Sequence, residues 1–460
     1  MQPRSGPAGG PQLWEGLVSG LAHDGRGVIR LNDGVAFVEA VLPDERVRVR
    51  LQQRSRRRLE AELQERLSAA AVRCRPACIL ADVCGGCSLQ HLQIAAQRSW
   101  KREKLMETLQ RLGGLTDLSG RVPPTLHGGE GLGYRNRAIL PLERTEAGRL
   151  RAGYYRKGSH RIVNLNHCPV LDPRLDALIA PLKQELEASG WPVDRHLSGG
   201  GGLRHLALRI GHHSGEILIT LVSSGLALPG LSERAEQWLH RWPEVVGVGL
   251  NVQDRPSNVL MGSDTVSVAG RPVLEERFAG LLYSIGPDCF FQVNTPMAER
   301  VVPLLLQALP ELPGGRLVDA YCGIGTYSLP LAAAGWQVHG LELAASALAL
   351  AEVNARRNRL EGRTRFSAGA VRDLLAEAIH GADALLLDPP RKGLEAGVLG
   401  VILAAPPATL LYLSCDPATL ARDLASLCGE GGPYRLEQAQ PLDFFPQTSH
   451  LETLVTLRRV

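Results

Sequence analysis

The sequence predicts a multidomain α/β protein with a small β-barrel at the N-terminus, a mixed α/β region in the middle and a doubly wound parallel sheet at the C-terminus. Three observations lead to this prediction. The chain has 460 residues, which is too many for one ordinary core. Residues 12–68 consist of short alternating runs separated by Asp-Gly turns. From about residue 286, continuous apolar runs alternate with helical segments, as in parallel sheets covered by helices on both faces.

The composition is that of a soluble globular protein and does not favour a membrane span. Hydrophobic residues make up 44% of the chain and charged residues 21%, and no apolar run of about 18 residues lacks charges or breakers. Residues 1–11 lack the apolar core of a signal peptide, so we expect a disordered lead on a cytoplasmic protein. The nine cysteines are therefore not expected to form a disulfide framework.

The predicted barrel carries a strongly basic stretch. In Arg-Val-Arg-Val-Arg at 46–50, the period of two places the valines inside and the arginines on one outer face, and four further arginines follow at 54, 56, 57 and 58. Such a face suits the phosphates of nucleic acid. The alternative is a charged edge strand that prevents aggregation. We favour contact with RNA or DNA.

Four cysteines crowd into the fourteen residues that follow the barrel, at 74, 78, 84 and 87. This density indicates a metal, a cluster or redox chemistry. Four thiolates suit a zinc ion, and thiolates also hold [4Fe–4S] clusters, so the residues alone leave both open.

A helix is predicted next, in "IAAQRSWKREKLMETLQRLGG", where apolar positions recur at helical spacing up to Gly113. From about 126 to 285, strand-like runs alternate with polar and glycine-rich breaks, which predicts a mixed α/β domain. Two motifs in this region, "GYRNRAIL" and "GYYRKGSHR", interleave aromatic residues with cations. Flipped bases stack on such aromatics while cations hold phosphates, although each motif is equally consistent with an ordinary basic turn.

A glycine turn in "VDAYCGIGTYSLPLA" predicts the binding site for a nucleoside cofactor. Gly323 and Gly325 lie in the first strand-to-helix turn, where side chains would block the ligand. Position 328, where a dinucleotide fingerprint has its third glycine, is serine. Glu342 ends the next strand and is placed to bind ribose hydroxyls. The pattern favours S-adenosylmethionine over NAD.

Two further groups are predicted at the same sheet edge. Asp388 in "LLLDPPRKGL" and Cys415 in "LYLSCDPATLARDL" each follow a continuous apolar strand. Ligands of open parallel sheets bind at the carboxyl ends of the strands, so both groups should meet the cofactor turn in one crevice. Most buried thiols are small apolar residues without a reaction to perform. The position of Cys415 before Asp-Pro favours a nucleophile.

A nucleophilic thiol beside a methyl donor suggests chemistry at carbon 5 of a pyrimidine. That carbon becomes reactive when a thiolate adds to carbon 6, and a base must later remove the carbon-5 proton. Near the C-terminus "SHLETLVTL" supplies His450 and Glu452. From the residues alone, His450 could also be an ordinary turn residue and Glu452 a solvated strand end.

Several motifs together resemble the RNA 5-methyluridine (uracil-C5) methyltransferase family, close to its 23S rRNA (uracil-5-)-methyltransferase type. They are "DCFFQVN", "DAYCGIGTYSLPLA", "LDPPRKGL", "YLSCDPATLARDL" and "HLETLVTL", in that order. Upstream, Cys78, Cys84-Gly-Gly-Cys87 and Cys168 in "NHCPV" resemble the family's four-cysteine iron–sulfur site. Residues 12–68 resemble its TRAM module, an RNA-binding barrel. The likeness covers nearly the whole chain.

The resemblance implies roles for individual residues. Cys415 would be the nucleophile that adds to uracil carbon 6, and Glu452 the base. The S-adenosylmethionine positions would be Gln292, Tyr321, Gly323, Gly325, Thr326, Glu342 and Asp388. The ligands of a [4Fe–4S] cluster would be Cys78, Cys84, Cys87 and Cys168, with Cys74 a spare. Where relatives often carry Asn or Asp against the adenine, this chain has Ala370, and Asp373 is a nearby substitute.

The implied architecture has four parts. They are a disordered lead (1–11), a TRAM barrel (12–68), a central iron–sulfur and RNA-binding domain (69–95 and 126–285), and a Rossmann-like methyltransferase domain (96–125 and 286–460). We expect a monomer that acts on RNA and not at a membrane. The favoured substrate is 23S rRNA, and tRNA is the second choice. Two different functions compete with this one: methylation of an exocyclic nitrogen, which needs no Cys nucleophile, and a non-catalytic role as an iron–sulfur RNA-binding factor.

Overall fold

The computed structural model describes residues 13–31, 34–53, 59–194, 201–225, 228–255, 259–312 and 314–460. The predicted lead at 1–11, the arginines at 54 and 56–58 and part of the glycine run near 200 lie outside these residues. The chain divides into two compact units, one made of Met1–Trp100 and Phe445–His450, the other of Lys101–Phe444 and Leu451–Val460.

The first unit contains the predicted small barrel. Its strands are β1 (Leu13–Leu21), β2 (Gly27–Leu31), β3 (Gly34–Val38), β4 (Arg46–Gln53) and β5 (Leu59–Ser68). They close in the order β1-β2-β3-β5-β4. The alternation in β4 places Val47 and Val49 in the barrel core beside Val18 and Ile29, all fully buried, so the prediction of a small N-terminal barrel is confirmed.

The arginine face of β4 is less available to RNA than the sequence predicts. Arg48 forms ion pairs with both Glu15 and Glu65 on the neighbouring strands. Arg50 lies 3.8 Å from the Glu62 carboxylate and donates to Gln64 at 3.1 Å. These glutamates neutralise most of the positive charge that β4 displays. The pairing favours the alternative in which the charges solubilise the strand surface.

The first unit also takes up a short segment from near the C-terminus. The backbone N–H groups of Ser88 and Leu89 donate to the Gln447 carbonyl at 3.1 and 2.9 Å. The Gln97 side chain donates to the Gln447 side-chain oxygen at 2.9 Å and accepts from the Gln447 backbone N–H at 2.9 Å. The cysteine-rich segment is therefore fixed by residues that follow it by more than 300 positions.

The second unit contains two large sheets and a hairpin. The first sheet has six strands in the order β12-β11-β10-β9-β7-β8. Its elements are β7 (Arg137–Arg144), β8 (Leu150–Ala152), α2 (Pro173–Ala188), β9 (Leu203–Ile210), β10 (Ile217–Ser223), α3 (Leu231–Arg241), β11 (Val245–Val252) and β12 (Thr265–Gly270). Only β10 and β11 pair in parallel within this described sheet. The hairpin is β13 (Leu274–Phe278) with β14 (Leu281–Ile285).

The second sheet has eight strands in the order β17-β16-β15-β18-β19-β21-β20-β6. Its strands are β6 (Leu126–His127), β15 (Arg316–Ala320), β16 (Gln337–Glu342), β17 (Thr364–Ala368), β18 (Ala384–Leu387), β19 (Thr409–Ser414), β20 (Tyr434–Asp443) and β21 (Glu452–Arg459). Its helices are α1 (Ile94–Gly113), α4 (Thr295–Ala308), α5 (Ser328–Ala333), α6 (Ala345–Arg357), α7 (Val371–Ala378), α8 (Ala396–Ala404) and α9 (Pro417–Cys428). Strands β15 to β19 are parallel, and β21 runs antiparallel to both β19 and β20.

The apolar strands β18 and β19 form the centre of the core, because each of their residues is buried. Leu105 and Leu109 of α1 share this core with α9 residues such as Leu424, so α1 packs on the second sheet although it precedes the first sheet in the sequence. Among the described residues, no helix combines the length and the apolarity that crossing a membrane requires.

Candidate active site at the carboxyl edge of the parallel strands

The turn after β15 has the geometry that the glycine pattern predicts. Tyr321, Gly323 and Gly325 have φ angles of 71°, 56° and 81°, in the left-handed region that favours glycine. Tyr321 adopts this conformation as a non-glycine residue, which costs energy and is typical of functional turns. A Cβ added at Gly323 would meet no described atom within 4 Å, so the backbone faces open space there.

Glu342 lies at the end of β16 beside this turn. Its carboxylate accepts hydrogen bonds from the backbone N–H of Gly323 at 3.1 Å and of Ala344 at 2.8 Å. The two bonds fix its orientation and leave acceptor capacity on both oxygens. The next residue, Leu343, is 71% exposed and offers an apolar surface. Thr326 is buried, and its carbonyl accepts from the Tyr283 hydroxyl at 3.2 Å, which closes the other side of the turn.

Cys415 and Glu452 are brought together by the register of two antiparallel strands. Strands β19 and β21 pair through Ser414 opposite Thr453, so the next positions outward are Cys415 and Glu452. Cys415 is half-buried and Glu452 is buried. The Asp416 side chain accepts from the N–H groups of Ala418 and Thr419 and so caps α9, whose first residue is Pro417. The turn that presents the thiol is thus fixed by the two residues after it.

Burial makes the carboxyl groups of this edge hard to ionise. Desolvation, with a further contribution from the negative charge of Asp319, raises the pKa of Asp388 to about 8. Desolvation and the charge of Asp388 raise the pKa of Glu452 to about 8. The pKa of the Cys415 thiol rises to about 11, first because of burial and then because of Glu452 and Asp388. These shared causes, together with the pairing of β18, β19 and β21, indicate that the three groups lie near one another at this sheet edge.

These shifts predict a pH dependence of stability. Asp388 and Glu452 have ordinary pKa values of 3.8 and 4.5 and folded values of about 8, so the folded protein holds their protons more tightly than the unfolded chain. The resulting stabilisation is present below about pH 4 and is lost as the pH rises towards 8. We expect the midpoint of thermal unfolding to fall between about pH 5 and about pH 8.5, and to fall less in Asp388→Asn, whose amide does not titrate.

The matched control is Glu437→Gln, which changes an exposed carboxylate paired with Arg458 on β21. It should retain the wild-type fall in the unfolding midpoint. An Asp388→Asn protein with the full wild-type fall would contradict the assignment of the shift to Asp388.

Two cations near this site have no role that the sequence predicts. Arg391, three residues after Asp388, lowers the pKa of both Cys415 and Glu452 against the opposing effect of burial. Lys101 of α1 forms an ion pair of 2.7 Å with Asp443 at the end of β20, and both side chains are fully buried. Its charge also lowers the pKa of Glu452. Arg391 is visible in the motif "LDPPRKGL", whereas no local signal marks Lys101.

The loop that carries Gln292 is anchored by the motif "GYRNRAIL". The Asn136 side chain donates to the Gln292 carbonyl and to the Thr295 hydroxyl, both at 2.9 Å. Arg137 donates to the Pro287 carbonyl at 3.0 Å, and Arg209, its cross-strand partner, donates to the Cys289 carbonyl at 2.6 Å. From the sequence, the motif could stack on RNA or form a basic turn. In the structure these polar residues position the Gln292 loop.

An exposed aromatic residue lies on the same loop. Phe290 is 61% exposed, whereas the next two residues, Phe291 and Gln292, are buried. In the second motif, Tyr155 packs edge-on against His160 at 5.8 Å between ring centroids. Phe290 therefore offers the more accessible ring for a base to stack on.

The positions predicted near the adenine lie around the start of α7. Ala370 directly precedes the first residue of this helix, and Asp373 lies in its first turn. The Asp373 carboxylate is exposed beside Arg372. Asp373 is thus open to solvent and to a ligand.

The cysteines predicted to bind a cluster lie in both units, with Cys78, Cys84 and Cys87 in the first and Cys168 in the second. The Cys78 and Cys84 sulfurs accept from the N–H groups of Leu80 and Gly86 at 3.4 and 3.5 Å. The Cys74 thiol instead donates to the Gln90 carbonyl at 3.5 Å. Within the described ranges, no three His, Cys, Asp or Glu side chains are grouped so as to hold a metal ion.

Comparison with known proteins shows which family has this arrangement. The chain is 52% identical to a protein of Parasynechococcus marenigrum named as an uncharacterized RNA methyltransferase, over 99% of this chain and 97% of that protein. A Synechocystis protein of the same description is 44% identical over 96% of this chain and 95% of its own. The family described as tRNA (Uracil-5-)-methyltransferase matches residues 273–460. The chain belongs to the RNA 5-methyluridine methyltransferase family.

One solved structure is similar to this chain over nearly the whole length of both chains. The crystal structure of Pyrococcus abyssi tRNA (uracil-54, C5)-methyltransferase in complex with S-adenosyl-L-homocysteine superposes with a TM-score of 0.77, at 27% identity, over 96% of this chain and 99% of that one. This RNA 5-methyluridine methyltransferase therefore has the mixed α/β fold with a small N-terminal barrel that the sequence predicts. The family and enzyme class expected from the motifs are confirmed.

Proposed function

We propose that this RNA methyltransferase, acting as a monomer in the cytoplasm, methylates carbon 5 of a specific uridine through a covalent adduct of Cys415 with uracil carbon 6. One observation carries the proposal. The register of β19 and β21 sets the half-buried thiol of Cys415 beside the carboxyl group of Glu452, at the sheet edge where Asp388 and the glycine turn also lie. Methylation of an exocyclic nitrogen would need neither the Cys415 thiol nor a base such as Glu452 placed beside it.

The residues perform two steps in sequence. The Cys415 thiol gives up its proton to solvent, and the thiolate adds to carbon 6. The electrons of the 5,6 double bond then form an enolate, with negative charge on the C4 oxygen and a nucleophilic carbon 5. After carbon 5 has gained a methyl group, the Glu452 carboxylate removes the proton from carbon 5. The electrons of that C–H bond restore the 5,6 double bond while the carbon–sulfur bond breaks and the thiolate leaves. The raised pKa of Glu452, about 8, suits a group that must accept a proton and later release it.

The cofactor turn fits S-adenosylmethionine. The open space at Gly323 accommodates a ligand close to the backbone, the Glu342 carboxylate retains acceptor capacity for ribose hydroxyls, and the exposed Leu343 offers contact to an adenine ring. The residues that would hold it are Gln292, Tyr321, Gly323, Gly325, Thr326, Glu342 and Asp388. When bound, it supplies a methyl group on a positively charged sulfur. The position of Ala370 leaves the adenine edge without a side-chain partner there, and Asp373 remains the nearby candidate.

The target RNA is proposed to be 23S rRNA, from the pairing of the N-terminal barrel with the four-cysteine motif. The tRNA alternative has its own support, because the similar Pyrococcus abyssi enzyme is named for tRNA and the matching family carries a tRNA description. A flipped uridine would find the exposed Phe290 ring beside Gln292, a surface on which a base can stack. Arg48 of the barrel contributes little to this proposal because Glu15 and Glu65 pair with it.

Mapping of 5-methyluridine in the 23S rRNA and tRNA of a deletion strain tests the proposal. We expect one 5-methyluridine to disappear from 23S rRNA and to return with the wild-type gene. Loss from tRNA alone would transfer the proposal to the alternative substrate. Retention of every 5-methyluridine, with no transfer of labelled methyl groups to bulk RNA by the purified protein, would favour a non-catalytic RNA-binding factor.

We further propose that Cys78, Cys84, Cys87 and Cys168 bind a [4Fe–4S] cluster. The proposal rests on the motif and on the N–H contacts to the Cys78 and Cys84 sulfurs, and the reaction uses no electron from such a cluster. Protein purified without oxygen should contain about four iron and four sulfide per chain and absorb broadly in the visible range. Cys74→Ser should keep this content and Cys84→Ser should lose it. Stoichiometric zinc without sulfide would contradict the proposal.

A further inference from the structure

Tyr327, directly after the cofactor turn, has a buried hydroxyl group with no hydrogen-bond partner among the described residues. The residue is 4% exposed. Other buried tyrosines of the same unit have partners: the hydroxyl of Tyr283 donates to the carbonyls of Gly325 and Thr326, that of Tyr412 to Asp423 and that of Tyr434 to the Pro407 carbonyl. Buried tyrosine hydroxyls are normally bonded, so the Tyr327 hydroxyl calls for a partner that the described residues do not supply.

The ring of Tyr327 is held by neighbouring aromatic residues. It meets Phe278 edge-on, with ring centroids 6.3 Å apart, and Phe278 in turn packs against Tyr283 and Phe291. Phe291 immediately precedes Gln292, so this aromatic group joins the cofactor turn to the Gln292 loop. The packing fixes the direction of the Tyr327 ring and leaves its hydroxyl little freedom to find a different partner.

The buried hydroxyl is close enough to the acidic groups of the site for their charges to act on it. The charges that act on it are, in order, those of Asp388, Glu452 and Asp319, and the first two also act on the Cys415 thiol. Burial, followed by these charges, raises the pKa of Tyr327 well above its ordinary value. The group therefore stays protonated and can act as a hydrogen-bond donor.

We propose that the Tyr327 hydroxyl is a catalytic donor that hydrogen-bonds the C4 carbonyl oxygen of the target uracil. This inference rests on the proposed function. When the Cys415 thiolate adds to carbon 6, the new carbon–sulfur bond takes an electron pair from the thiolate, and the negative charge moves to the C4 oxygen. A donor held at that oxygen stabilises the enolate without transferring its proton, and it costs no reorganisation because the ring is already packed.

The test compares Tyr327→Phe, which removes a single oxygen atom, with Tyr434→Phe, whose hydroxyl bonds the Pro407 carbonyl elsewhere in the unit. The rate of adduct formation is measured with RNA containing 5-fluorouridine, which traps the adduct because carbon 5 carries no removable proton. We expect Tyr327→Phe to slow adduct formation and turnover about 10²- to 10³-fold. Its thermal unfolding midpoint should equal or exceed that of the wild type, since an unbonded buried hydroxyl is lost. Tyr434→Phe should show the opposite pattern, a lower midpoint with wild-type rates.

Each outcome decides the inference. Wild-type rates in Tyr327→Phe would overturn it and leave the proposed function intact. An unchanged maximal rate with weaker binding of S-adenosylhomocysteine would also overturn it, because the hydroxyl would then bond the cofactor. Failure of the wild-type protein to form any adduct with 5-fluorouridine RNA would remove the proposed function, and this inference with it.

Discussion

Replacement of Cys415 by serine is expected to reduce methyl transfer by about 10⁴-fold or more, because a hydroxyl ionises far less readily than a thiol and adds poorly to carbon 6 of a pyrimidine. The loss should be in the rate and not in the fold. Cys415 is half-buried at a strand end, and the Asp416 cap of α9 does not depend on its side chain. Transfer of labelled methyl groups to RNA and the thermal unfolding midpoint measure the two effects separately.

The matched control is Cys428→Ser, at the end of the same helix, α9. Cys428 is also half-buried, and burial raises the pKa of its thiol to about 12, so it shares the chemistry of Cys415 but lies at the opposite end of the helix. It should retain wild-type turnover. Full turnover in Cys415→Ser would rule out the covalent mechanism and favour direct methylation of an exocyclic nitrogen.

Glu452→Gln is expected to leave the first part of the reaction intact and to slow the second. Adduct formation and methyl transfer should still occur, whereas removal of the carbon-5 proton should slow by about 10²- to 10⁴-fold. The protein should then accumulate as a complex with methylated RNA that survives denaturation. Gel electrophoresis with a label in the transferred methyl group detects this complex as a band of reduced mobility.

Two variants control this experiment. The double variant Cys415→Ser with Glu452→Gln should give no band, since the RNA is held through the sulfur. Glu437→Gln, an exposed carboxylate on β20, should turn over normally. Release of free methylated RNA by Glu452→Gln at the wild-type rate would assign the proton transfer to another group, with Asp388 the next carboxyl by its effect on Cys415.

The sequence predicts the elements that depend on local pattern. The continuous apolar runs before Asp388 and Cys415 become β18 and β19, fully buried along their length, and parallel pairing then brings both residues to one edge. Once β21 is known to lie antiparallel beside β19, the positions of Cys415 and Glu452 in the sequence are enough to predict that they are neighbours. What local pattern cannot specify is that β21 enters the sheet antiparallel, which the structure shows.

The supporting residues of the site escape prediction because their partners are distant in sequence. Lys101 and Asp443 are 342 positions apart, and neither has a neighbour that marks it as buried. Asn136 lies in a motif whose aromatic and basic residues suggest RNA, yet its side chain bonds the Gln292 loop 156 positions away. The glutamates that neutralise Arg48 come from two other strands. In each case the fold brings together residues that are distant in sequence, and their contact decides what the residue does where composition alone leaves it open.

The segment Phe445–His450 has a consequence for how the protein is made. The first unit depends on this segment, because the Gln447 carbonyl bonds Ser88 and Leu89 and its side chain bonds Gln97. Domains usually fold as they leave the ribosome, N-terminal first. Here the cysteine-rich region, although synthesised early, stays incomplete until the ribosome has added Phe445–His450, about 350 positions later. The N-terminal unit is thus finished at nearly the same moment as the strand that carries Glu452.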